Sequence, residues 1–130
     1  MMRRALAVIV AYLVWTALWL GSGASLGAAF PEALEAYEAG EPITETGYLV
    51  SALGLSVVCS FVAGIVCGKL ARERSSGAAL VLGAALLLTG IGVQASAWSL
   101  MPVWYHLVFL ALLLPVVKWA AWLAARRTLL

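Results

Sequence analysis

Three stretches without Lys, Arg, Asp or Glu set the terms for this chain: residues 5–31, 46–68 and 75–117. A helix needs roughly 20 apolar residues to cross the hydrocarbon core of a bilayer. The first two stretches therefore hold one span each. The third, whose only ionisable group is His106, is far too long for one span and must turn back on itself. The turn falls at Ser99-Leu100-Met101-Pro102. Backbone polar groups in lipid must be satisfied within the segment, and the helix does this. The reading is an all-α fold, an integral membrane four-helix bundle in one domain. Its spans lie near 5–24, 48–68, 77–98 and 103–125, with an outer loop at 25–47.

Composition agrees. The chain is 65% hydrophobic and 11% charged, against roughly 45–50% and about 25% in soluble domains. So short and apolar a chain cannot bury its surface in a water-soluble core, so its first partner is the lipid bilayer. A net charge of +2 leaves no electrostatic footprint for nucleic acid. Orientation follows from Arg3, Arg4, Lys69, Arg72, Arg74, Arg126 and Arg127, seven of the eight basic residues, which fall in the terminal and middle connections. Basic residues stay in the cytoplasm. The expected location is thus the cell inner membrane, multi-pass, with both termini cytoplasmic. The rival is a cleaved signal peptide: Arg3-Arg4, an apolar run and Ser22-Gly23-Ala24 fit one. Tyr12, Trp15 and Trp19 instead suit a retained helix with an interfacial aromatic belt.

Within the outer loop, Pro31 through Ala39 and then Gly40 read as a short amphipathic helix. Proline at the first turn, glutamates near the positive helix end and glycine after the last residue all belong there. Leu34 and Tyr37 are expected to face membrane or bundle, with the glutamates outward.

The strongest positional signal concerns packing. Ala52, Ser56, Ser60, Gly64 and Gly68 recur every four residues along the second span and end in a GxxxG. Such a stripe lets another backbone approach closely, from within the chain or from a second one. A weaker stripe in the third span comprises Ala84, Gly92 and Ser96 with Gly90. Lys118 is the one charge placed well inside a span. It reads as a lysine reaching for headgroups, laid against Trp122; the rival is a functional or partner-facing charge. His106, near Gln94 and Trp98, reads as an interfacial residue bonded to a helix neighbour, with proton relay or ligation as the alternative. It lies about 18 Å along the helix axis from Lys118 and about 120° around it. Cys59 and Cys67, eight residues apart, are separated by about 12 Å of helix rise, too far for a disulfide. Phosphate loops, nucleophile elbows and metal-ligand pairs are absent from the sequence, so the expectation is no enzyme and no cofactor.

Pro102-Val103-Trp104-Tyr105 opening a helix that carries Pro115, with the Arg3-Arg4 start and the Phe30-Pro31 break, resembles small uncharacterised bacterial four-helix inner-membrane proteins. That resemblance implies no activity. The chain departs from small multidrug transporters, which carry a membrane glutamate in the first helix. The functional expectation is a structural or accessory role through helix–helix contacts, as a subunit of a larger membrane complex or in self-association. The alternative is a small transporter or channel subunit using Lys118, Gln94 and His106.

Overall fold

A computed structural model describes residues 2–72 and 75–129. Five α-helices follow in order: α1 (Met2–Ala29), α2 (Pro31–Glu38), α3 (Thr46–Ala71), α4 (Ser75–Ser96) and α5 (Val103–Leu129). Among the described residues there is no strand. α1, α3, α4 and α5 are each long and apolar enough to cross a bilayer, and they pack as a bundle.

The breaks have local causes. α1 runs five residues beyond its expected end because nothing in residues 25–29 opposes a helix; it stops ahead of Pro31. A residue before proline is pushed out of the helical region, and Phe30 sits at φ −128°, ψ 70°. Pro31 then opens α2, and Gly40 adopts φ +71°, a conformation that costs glycine little. α4 ends at Ser96, two residues short of expectation. The chain reverses through a 3-10 turn at Trp98–Leu100 and re-enters α5 at Val103.

α1 and α3 are antiparallel: Arg3 Nε donates to Leu70 O at 2.9 Å, and Trp15 Nε1 donates to Ser60 Oγ at 3.3 Å. The most extensive contact is between α3 and α5, which run in the same direction. α4 packs on α5 and closes back toward α1, where Tyr12 and Thr89 share a 2.8 Å hydroxyl bond. Arg3 beside Leu70, and Arg4 against Gly77, gather basic residues at one end of the bundle. The loop bearing Glu32, Glu35, Glu38, Glu41 and Glu45 caps the other. Glu73, Arg74 and the Arg127 side chain lie outside the described residues.

The two small-residue stripes part company. Ala52, Ser56, Ser60, Gly64 and Gly68 are all buried. A Cβ on Gly64 would fall 2.6 Å from Val117 O and 2.7 Å from Ala120 Cβ, so only glycine lets α5 come so close. In α4 the expected stripe holds only at Gly90: Ala84, Gly92 and Ser96 are exposed, and nothing lies near Gly92. Gly83 and Gly90, on another face, receive Leu114 and Leu113 of α5 instead. Spacing alone does not say which face of a helix meets a neighbour.

Candidate functional site

At the acidic end of the bundle the α4–α5 reversal brings together residues twelve apart. His106 lies about one turn into α5 and Gln94 two residues before the end of α4, so the tight turn sets their side chains face to face. His106 is fully buried, and its Nδ1 bonds the Gln94 side-chain amide. Its Nε2 lies 3.0 Å from Trp98 O. That oxygen can only accept, so Nε2 carries the hydrogen and the tautomer is set from the turn. The imidazole stacks on the Trp98 ring at 4.4 Å and 11°, and Tyr105 meets it edge-on at 5.9 Å. Both ring nitrogens and at least one ring face are thus engaged.

Beside this cluster lies a cavity of about 240 Å³. Trp19 and Gly23 of α1, Tyr48 of α3, Gln94 of α4 and Tyr105 of α5 contribute to its wall, and Leu34 of α2 lies at its edge. Leu34 reaches there because Gly27 gives it room: a Cβ on Gly27 would stand 3.1 Å from Leu34 Cδ2. The residue of α2 turned into the bundle is Ala33, at 4% exposed, while Leu34 and Tyr37 remain partly open. Ile43 anchors the end of this loop, buried and donating its N–H to Leu100 O at 2.6 Å.

No family model, curated protein or solved structure matches this chain. The functional reading therefore depends on where the fold places each polar group. Gln94 and His106 meet. Lys118 does not join them: it is exposed on α5, on a different face and nearer the basic end. Trp122, the ring expected to support it, carries the Arg126 guanidinium at 5.3 Å instead, and Trp119 leans on Phe61 at 5.5 Å. Among the described residues no carboxylate pairs with Lys118 and no three His, Cys or Glu side chains come together as a metal site. Cys59 and Cys67 are free and buried, with Cys59 Sγ 3.6 Å from Ser22 Oγ.

The cavity was not legible in the sequence. Trp19, Tyr48 and Tyr105 look like members of an interfacial belt, and a belt residue facing lipid has the same sequence signature as one facing a cavity. The proximity of Gln94 to His106 was legible, because a forced turn between them leaves little room for any other arrangement.

Proposed function

We propose that this chain is a structural or accessory subunit of a larger membrane complex, without catalytic activity or cofactor, that contacts its partner through the outward face of α5. The observation that carries this reading is the exposure of Lys118 along a helix of membrane-spanning length. Other polar side chains of the spans turn inward and pair: Tyr12 with Thr89, Trp15 with Ser60, His106 with Gln94. A lysine at the centre of a span costs about 2.5–3.5 kcal/mol on insertion scales, which is what makes an unpaired one a functional candidate. A partner helix presenting a carboxylate, or a polar group that accepts hydrogen bonds, would offset that cost. Trp119 and Trp122, both exposed beside it, supply apolar contact area.

We place the chain in a bacterial inner membrane with both termini cytoplasmic, and the distribution of its basic residues supports that orientation. The resemblance to small four-helix inner-membrane proteins points the same way. The small-residue stripe of α3 is consumed by contacts with α1 and α5, so it is withdrawn from the partner surface. The transporter alternative would need Lys118, Gln94 and His106 on one path. The separation of Lys118 from the other two favours the accessory reading.

A photo-crosslinker at Trp119 or Trp122 should give a discrete protein adduct in native membranes, and Lys118→Met should abolish it. Adducts to lipid alone would overturn the proposal. So would solute flux, in vesicles holding the purified protein alone, that Lys118→Met or Gln94→Leu eliminates.

A further inference from the structure

We propose that the cavity at the acidic end is a binding site for a small, lipid-soluble molecule of the phenol class. Size comes first. A cavity of about 150 Å³ holds benzene, so about 240 Å³ admits a ring with a substituent. The wall is built to receive one, with the Trp19, Tyr48 and Tyr105 rings around it. These rings are held in place by their own contacts. Trp19 stacks on Trp15 at 5.9 Å and meets Phe109 edge-on at 5.3 Å, while Tyr48 meets Phe30 edge-on at 5.9 Å. An aromatic ligand thus finds edges and faces already oriented for the offset and edge-to-face arrangements such rings prefer.

The second observation is Gln94. The residue is 4% exposed, yet only one end of its amide is engaged, by His106. No fully enclosed polar side-chain atom among the described residues lacks a partner, so the other end of the amide must open onto space. The space that Gln94 lines is the cavity. With Nε2–H of His106 committed to Trp98 O, a neutral ring leaves Nδ1 as an acceptor. As placed, Gln94 Oε1 faces Nδ1 and the NH2 is the end left over for the cavity; exchanging the two ends of the amide, which an accepting Nδ1 calls for, leaves the carbonyl there instead. A hydroxyl both donates and accepts, so it satisfies either orientation of the amide. A plain hydrocarbon satisfies neither.

Access is through the side of the bundle. Leu20 and Gly23 of α1 and Val93 of α4 are exposed where they border the cavity, on the faces of spanning helices. The ligand therefore enters from the lipid, which suits a phenol and disfavours an ion.

The experiment is 19F NMR of 4-fluorophenol with the purified protein in nanodiscs, using fluorobenzene and empty nanodiscs as comparisons. A bound resonance absent from empty nanodiscs is expected, with fluorobenzene about tenfold weaker, the worth of one good hydrogen bond. Gly23→Leu should erase the bound resonance. Gly23 borders the cavity and nothing lies within 4 Å of a Cβ there, so a leucine fits at this lining position without displacing its neighbours. Should that variant fail to fold, Ala52→Val narrows the same cavity from α3. The proposal is overturned if the signal matches empty nanodiscs, if fluorobenzene binds equally well, or if a folded filling variant keeps the resonance.

Discussion

Gly64 and Gly68 sit where α3 and α5 come closest, and their value lies in what they lack. A leucine at Gly64 would drive its Cβ into Val117 O and the Ala120 methyl. Overpacking costs about 1–3 kcal/mol even where side chains can shift, and here much of the obstacle is backbone. Gly64→Leu should therefore lower the melting temperature in detergent markedly. Gly54→Leu is the control, since nothing lies within 4 Å of that position and it is exposed; it should melt like the parent. Equal melting of the two variants would remove the close-packing argument. A second test at this scale concerns the buried pair. Gln94→Leu leaves His106 Nδ1 enclosed without a partner, at a cost of about 1–3 kcal/mol. Adding His106→Leu removes the stranded group, so the double variant should recover part of the loss. A double variant less stable than Gln94→Leu would mean that the imidazole contributes mainly through its stacking on Trp98.

The helices differ in how they are held. α3 is clasped on several sides and contributes the buried series Leu49, Ala52, Ser56, Cys59, Ser60, Ala63, Gly64, Cys67, Gly68 and Ala71. α2 is held by the buried Ala33 and by Leu34 against Gly27, and the loop after it by the buried Ile43 with its bond to Leu100 O. Ile43→Ala should cost about 2 kcal/mol or more of local stability, concentrated in the loop and not in the bundle. Hydrogen exchange would show faster exchange of the α2 amides with the interior of α3 unchanged. Acceleration spread evenly over the spans would instead assign Ile43 to the global core. The existence of α2 was legible from Pro31 and Gly40, because both act through their own backbone. Its buried residue, Ala33, was not: an alanine beside the larger Leu34 has no hydrophobic signature of its own, and only the neighbouring helix selects it.

For the whole molecule, topology is the property that charge predicts most directly. Reporters placed after Gly40 and after Ser99 should read outside, and reporters after Arg74 and Leu130 inside. A terminus that reads outside, or a mature chain starting near Ser25, would replace the four-span arrangement with a cleaved leader and three spans. The structure adds that α3 pairs most extensively with α5, which is not its neighbour in sequence. The bundle thus depends on a contact that α4 and its two connections must allow, so inserting residues in the α4–α5 turn should disturb the His106 cluster before it disturbs the spans.

What the sequence determined by itself is whatever is set by a local quantity compared with a fixed external one. The lengths of the charge-free runs against bilayer thickness set the number of spans, and the helix boundaries follow from Pro31, Gly40 and Pro102. What only the tertiary structure decided is which way each face points. In α3 the small residues lie on the buried face, whereas in α4 a similar spacing lies on the exposed one. In a soluble helix, polarity marks the outer face. In a chain that lipid surrounds, apolar residues suit both faces, so the pattern of hydrophobicity carries almost no information about orientation. The same cause hid the cavity: its wall is assembled from residues of all five helices, and apart from Gln94 each suits lipid equally well.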